Sequence, residues 1–536
     1  MITKIPNFFV GVWKKNRVNN RNILLLWLPL AALILYGLVL LFFRSSGSFQ
    51  GDEAIYSQIA REGLEKKSYL NLYWQNKLWF EKPPLVIWLT EISFSFFGIS
   101  EFSAHIFPGI FGIMSAVSLY FFSLALFKNR LAAFLSGFIF LTIPIILWSM
   151  RSDMMDLPVG FFITVSMYSF WRAFNGKRKW WFAFGIFFGL AIMTKSVVGF
   201  LPLGLAGAWI IYEKRWDVFK DSFFWQSIIL GLLIILPWHL LMTFRYGNLF
   251  WQDYLGYHVV KRFFEPILAT PWNRDTLLSY FNLYFERSGS WSIVSIVALV
   301  YACKKAVRKK YSREILLMLS WILAVLIPFV LAATKLPQYI IPLYFPIAIL
   351  LGGMINEMIV KKDWEYLAGI GAASLLSFLP FFFVRVSDFG EAHVVIPQIF
   401  IRYLGVSNMG IVYVFVVAIF MWIASVFYLK KNQRFLMPFF VLMIVGMNVI
   451  LPFHPNRNDF IKKLGSDISL ANDNGSVDLY LIKNPEHFST GMILPFYLPL
   501  GSRVDNIGSR NVVFENYSHS NRSFCFVEKN LIKNEV

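Results

Sequence analysis

Apolar stretches recur along the chain, most near the roughly 20 residues a helix needs to cross a bilayer, and they leave few other folds open. The first runs from Ile23 to Phe43. It is too long for the core of a signal peptide and no small-residue cleavage site follows it, so it reads as an uncleaved first span. Further runs fall near 102–127, 131–149, 158–173, 180–194, 197–212, 224–242, 288–303, 314–333, 338–357, 366–384, 410–428 and 435–453. Pro84–Phe97 is apolar but short, which suits a helix lying at the interface. Of 536 residues, 57% are hydrophobic and only 15% charged, against about 25% charged in soluble domains. A disordered chain, a disulfide-stapled module and an ordinary cytosolic enzyme are excluded.

Charge sets the orientation. The net charge is +19, with 50 Lys+Arg against 31 Asp+Glu. In a soluble protein this would suggest nucleic acid; here it reads as positive-inside loops, and no nucleic-acid partner is expected. A basic face also suits anionic membrane lipids. The N-terminal flank carries Lys4, Lys14, Lys15, Arg17 and Arg21. The clusters Lys128/Arg130, Arg172–Lys179, Lys214/Arg215, Lys304–Arg313, Lys361/Lys362 and Lys430–Arg434 all fall on that flank's side if Pro84–Phe97 does not span. If it spanned, every later cluster would flip outside. The expected fold is therefore a polytopic α-helical membrane protein of about 13 transmembrane helices, N-terminus in and C-terminus out. Cys303 and Cys525 then lie on opposite sides, so no disulfide framework is available. After Pro452 the composition turns to Asn, Asp, Ser and Gly. Two domains are expected: a membrane domain over 1–453, with an external loop at 44–101, and a small extracytoplasmic α/β domain over 454–536. The latter is read with a helix near Asp459–Ala471 and strands at Val477–Ile482 and Ser523–Glu528.

Several motifs collect on the external face. Gly51-Asp52-Glu53-Ala54-Ile55-Tyr56 follows the first span. Asp52 suits the N-cap of a helix running to about Leu64, or a general base held near the bilayer surface where a lipid substrate must react. In Phe80-Glu81-Lys82-Pro83-Pro84 the prolines fix the backbone. Lys82 then either snorkels or contacts a phosphate, with Glu81 available to a metal or a sugar. The turn Met150–Pro158 holds Arg151, Asp153 and Asp156. Charges at that depth usually mark a site, although an Arg151–Asp156 ion pair closing the turn is the plainer reading. Lys195, His258, Lys261, Arg262 and Lys335 share this face. Acids with convergent cations at a membrane surface suit transfer from a lipid phosphate, whose departure needs positive charge.

The ordered set Asp52-Glu53, Glu81-Lys82-Pro83-Pro84-Leu85, Arg151 with Asp156-Leu157-Pro158, Thr194-Lys195, His258 before Arg262 and Phe263, and Lys335-Leu336-Pro337-x-Tyr339 resembles the GT-C glycosyltransferases. Within them it is most similar to the aminoarabinose (lipid A) transferase branch of the superfamily shared with protein O-mannosyltransferases. The resemblance covers about 1–455. It implies an inverting glycosyltransferase, moving a pentose or hexose from a polyprenyl-phosphate (undecaprenyl phosphate) donor to a lipid A-like, glycan or protein acceptor. The place implied is the external face of the bacterial inner membrane, and a monomer is expected. By motif, Asp52, Glu53 and Asp156 would be the catalytic acids. Tyr56, Arg61, Lys82, Arg151, Lys195, Arg262, Lys335 and Tyr339 would bind substrate. Glu81 and His258 would hold a divalent metal, for which Zn²⁺ suits a His/carboxylate pair better than Mg²⁺. The choice of Asp156 over Asp153 rests on the Leu-Pro that follows it, and Lys195 is followed by Ser-Val-Val where relatives commonly have Gly-Pro. A transporter of polyprenyl-linked glycans would need ionisable groups near span centres and internal repeats. A non-catalytic scaffold gives no reason for one-sided acids.

Overall fold

The structure, a computed structural model, describes residues 20–42, 49, 51–265, 283–285, 287–307 and 312–363, and scattered residues between 366 and 526. It is built of helices. α1 spans Asn20–Phe42, α2 Asp52–Lys66, α3 Leu85–Phe97 and α4 Glu101–Phe127. α5 (Arg130–Phe140) and α6 (Pro144–Ser149) divide the expected 131–149 span, because Pro144 lacks the N–H that would continue α5 and instead starts a new helix. Then come α7 (Asp156–Phe174), α8 (Trp180–Lys195), α9 (Leu201–Tyr212) and α10 (Ser222–Tyr246). After the short α11 (Asn248–Trp251), a π-helical stretch Gln252–Lys261 and α12 (Arg262–Phe264), the described helices continue as α13 (Trp291–Val307), α14 (Ser312–Leu331) and α15 (Tyr344–Lys361).

Five helical stretches among the described residues are long and apolar enough to cross a membrane: Glu101–Phe127, Trp180–Tyr212, Ser222–Tyr246, Arg313–Leu331 and Pro337–Lys361. Helices thus stand at the first ten expected spans. The spans expected at 410–428 and 435–453, and nearly all of 366–384, lie outside the described residues. α3 has only 13 residues, about 20 Å at 1.5 Å per residue, too short for a hydrocarbon core of about 30 Å.

Between apolar helices, association rests on close packing rather than on expelling water. A Cβ on Gly185 of α8 would lie 2.2 Å from the Ser227 carbonyl oxygen of α10, and one on Gly352 of α15 would lie 2.7 Å from the Ala132 carbonyl oxygen of α5. Larger residues would force these pairs apart. At one end of the bundle the basic clusters pair with acids from other helix ends: Arg178 with Asp221 (2.9 Å), Arg313 with Glu213 (2.7 Å), and Lys305 and Lys361 with Glu357. These clusters therefore share one side, as the charge pattern predicts.

Towards the C-terminus, strands Asp478–Ile482, Arg503–Ile507 and Ser523–Phe526 form a parallel sheet with the first of them central.

Candidate active site

The acids and cations gather at the opposite end of the bundle. Gly51, at φ 58° and ψ −130°, forms the N-cap of α2 without a side-chain hydrogen bond. Glycine reaches this left-handed φ without steric cost. Asp52 is the first helical residue rather than the cap, which corrects the capping expectation and leaves its carboxylate free for the site.

Glu81 and Lys82 are delivered by a tight hairpin. Strands Tyr73–Trp74 and Lys77–Leu78 pair across Gln75 and Asn76, both at positive φ (51° and 63°), the twist that two-residue hairpins favour. The buried carboxylate of Glu62 accepts from the N–H groups of Gln75 (2.7 Å) and Asn76 (3.0 Å), tying the turn to α2. Pro83 and Pro84 then lead into α3.

Glu81 is the hub. Its Oε1 accepts from Lys82 Nζ (3.0 Å) and Arg262 Nη1 (2.8 Å), and His258 Nδ1 faces it at 3.6 Å. On the other side of the ring, His258 Nε2 lies 3.4 Å from Asp253 Oδ1. Asp156 pairs with Lys195, whose ammonium also stands 4.9 Å from the Tyr339 ring centre. The bend at 333–334 is tied to α12: Ala333 N donates to Phe263 O (2.8 Å) and Thr334 N to Arg262 O (3.2 Å). This holds the chain that leads to Tyr339 beside Arg262.

These groups share one electrostatic environment. Burial, then the neighbouring Glu81, pushes the Asp52 carboxyl up to about 6, against the pull of Arg262 and Lys82. Burial would also raise Glu81, but Lys82, Arg262 and His258 outweigh it and hold that carboxyl at about 2. Burial lowers the Lys82 ammonium while Glu81 opposes the shift. Tyr56 is pushed well above its ordinary value, first by burial and then by Asp52, Glu81 and Asp156. Two carboxylates in one site are thus driven apart: a permanently ionised Glu81, and an Asp52 that titrates near neutrality.

The structure brings together Asp52, Tyr56, Glu81, Lys82, Asp156, Lys195, His258, Arg262 and Tyr339. Four expected site residues sit elsewhere. Glu53 turns to His105 Nε2 (3.2 Å) and to the Asp153 N–H (3.1 Å). Arg61 Nη1 donates to the carbonyls of Phe496 (2.8 Å) and Leu498 (2.9 Å). Arg151 Nε donates to Leu147 O at 3.1 Å, so the Asp156 partner is Lys195 and not the Arg151 of the expected turn-closing pair. Lys335 Nζ donates to Ala332 O at 2.6 Å. Between the two candidate acids of that turn, Asp153 is fully buried, accepting from Ser57 (2.9 Å) and Thr90 (3.0 Å), with its carboxyl pushed up to about 7 chiefly by burial. Asp156 is the one that faces the cations. Sequence reasoning missed Asp253 and Glu62. An i to i+5 contact such as Asp253–His258 belongs to a π-helix, and composition announces no π-helix.

Residues 29–251 match the family model described as dolichyl-phosphate-mannose-protein mannosyltransferase. The chain is 28% identical over 327 residues to the undecaprenyl phosphate-alpha-4-amino-4-deoxy-L-arabinose arabinosyl transferase of Enterobacter sp. (strain 638), covering 58% of this chain and 56% of that one. It is 25% identical over 359 residues to such a transferase, numbered 2, of Pseudomonas fluorescens (strain Pf0-1), covering 65% and 63%. The chain thus matches less than two thirds of the length of these relatives. The crystal structure of ArnT from Cupriavidus metallidurans bound to undecaprenyl phosphate superposes with a TM-score of 0.70 at 19% identity, covering 92% of this chain and 88% of that one. The chain shares the fold of that structure. Its sequence is similar to the aminoarabinose transferases over that part of their length, and to the mannosyltransferase family model over residues 29–251.

Proposed function

We propose that the protein is an inverting glycosyltransferase. It would move a sugar from a polyprenyl-phosphate donor to a lipid A-like or other envelope acceptor at the external face of the inner membrane. The observation that carries this reading is the gathering of Lys82, Lys195 and Arg262 around Asp52, Glu81 and Asp156 at one end of the bundle. In the reaction an acceptor oxygen attacks the anomeric carbon as the bond to the lipid phosphate breaks. Charge then develops on the departing phosphate, where placed cations act most strongly. Asp52 would take the proton of a hydroxyl acceptor, and Asp156, held by Lys195, would orient the sugar. Transfer of label from a purified polyprenyl-phosphate sugar to an envelope extract tests the activity, and mass spectrometry of envelope lipids and glycoproteins from a deletion strain identifies sugar and acceptor. Aminoarabinose on lipid A phosphate is the substrate pair that the relatives' names suggest. The protein would act as a monomer, with residues 454–536 as a small extracytoplasmic α/β domain. Reporter fusions after Lys309 and after Asn474 are expected to give opposite signals, cytoplasmic and external; matching signals would remove the 13-span topology.

Glu81 and His258 would hold a divalent metal. In support, His258 Nδ1 is buried without a hydrogen-bond partner and stands 3.6 Å from Glu81 Oε1, a separation that suits two ligands of one tetrahedral ion. Among the described residues no three His, Cys, Asp or Glu side chains converge on a point, and water or substrate oxygen would complete the coordination. Bound there, the ion would polarise a phosphoryl oxygen. Elemental analysis is expected to find metal in the wild type and less of it in His258→Ala; equal content excludes His258 as a ligand.

A further inference from the structure

The helix that carries Asp52 is fixed on its other side by three successive turns. Glu53, Ser57 and Arg61 are spaced i, i+4, i+8 and so lie along one face of α2. Together they are bonded to three other parts of the chain. Glu53 meets His105 of α4 and the Asp153 N–H, Ser57 meets the Asp153 carboxylate, and Arg61 meets the carbonyls of Phe496 and Leu498. Asp52 and Tyr56, one residue earlier at each of the first two turns, are thereby turned about 100° away, towards Glu81 and Arg262.

The third attachment is the unusual one, because it comes from more than 430 residues along the chain. It is also well built. Leu494, Phe496 and Leu498 are buried in one apolar cluster with Ile55, Ile59 and Ala60 of α2 and Phe94 of α3. The Phe496 ring meets Phe49 edge to face at 4.5 Å. Tyr497 donates to Glu101 at 3.0 Å, at the start of α4, and Glu101 also holds Lys462 at 2.6 Å. Arg61 itself is braced by Glu65 at 3.2 Å. A guanidinium spends two donors on main-chain oxygens here, which fixes a geometry rather than a partner side chain.

We infer that Leu494 and Phe496–Leu498 are a working part of the active site: through Arg61 they set the position of α2, so that Arg61 is a positioning residue for Asp52 and not a contact for the donor. The inference rests on the proposed glycosyl transfer for its kinetic arm alone. A displacement of about 1 Å in a reacting group is enough to cost on the order of 10²-fold in rate.

The test compares wild type with Arg61→Ala, Arg61→Lys and Phe496→Ala in the full-length protein. The readouts are the turnover number and donor KM for sugar transfer, and hydrogen exchange at α2 amides. Turnover is expected to fall about 10- to 100-fold in Arg61→Ala and in Phe496→Ala, with donor KM within about twofold. α2 amides are expected to exchange faster, while those of α4, α7 and α8 stay protected and so report an intact fold. Arg61→Lys, which keeps one donor group, is expected to recover part of the turnover. A raised donor KM at unchanged turnover would make Arg61 a donor contact and overturn the inference. Unchanged turnover with α2 loosened, or unchanged exchange in α2, would overturn it as well. If the wild type transfers no sugar, the proposed function falls by itself, and the exchange arm alone decides whether the segment holds α2.

Discussion

Asp52→Asn is expected to lower sugar transfer to a hydroxyl acceptor by roughly 10²–10⁴-fold, the range of a general base, with expression and detergent stability intact. The amide has the volume of the carboxyl, and α2 loses no cap, since Gly51 fills that position. The pH dependence carries the sharper signature. With its carboxyl pushed up to about 6 by burial and by Glu81, Asp52 is mostly protonated at pH 5 and mostly ionised at pH 7. A base works only when ionised, so wild-type turnover is expected to rise with pH through about 6 and then level off. The residual rate of Asp52→Asn is expected to lack that rise. Glu81, held at about 2, contributes nothing to the profile in this range. An acceptor that is itself a phosphate needs no deprotonation, and with it the wild-type rise near pH 6 is expected to flatten. Full activity of Asp52→Asn with both kinds of acceptor would take Asp52 out of the catalytic group.

The sequence was most informative where one period or one rule dominates. Helix after helix follows from apolar length alone, and the shared side of Arg178, Glu213, Lys305 and Arg313 follows from the charge rule, because each is a one-dimensional property. Proline marks the break at Pro83-Pro84, and the same signal stands at Pro144, where the 131–149 run divides. The site was legible only as a set of residues on one face. Its pairings were not: Lys195 with Asp156 and Arg262 with Glu81 join residues 39 and 181 positions apart, and no local pattern encodes such distances. Glu53 and Arg61 show the same limit in reverse. They share a helix with Asp52, yet a rotation of about 100° per residue carries them to a different face. The motif's adjacency in sequence therefore overstated its adjacency in space.

Lys82→Ala is expected to have the largest effect of any cation in the site, about 3–4 kcal/mol of transition-state stabilisation, or on the order of 10²–10³ in turnover. The argument begins with where the ammonium points. A lysine that only anchored α3 at the interface would extend its side chain towards the head groups. Lys82 instead turns back to Glu81 Oε1 at 3.0 Å, and its side chain is 12% exposed. Pro83 and Pro84 restrict the backbone that carries it, so the charge is held in place before substrate arrives. A preorganised cation favours the departing phosphate over the bound donor, because charge is more concentrated on the oxygen that leaves. Its removal does not strand Glu81, which keeps Arg262 at 2.8 Å, so Lys82→Ala is expected to fold. Lys82→Arg retains the charge but replaces a compact ammonium by a planar fork that does not fit the same point, and an intermediate loss is expected. The measurements are turnover and the affinity for polyprenyl phosphate in folded, monodisperse protein. Both are expected to fall in Lys82→Ala, turnover more steeply, since only part of the interaction exists before the bond breaks. Unchanged lipid binding and unchanged kinetics would show that Lys82 is an anchor. The phosphate contact would then pass to Arg262 and Lys195, the cations that stand with it in the site.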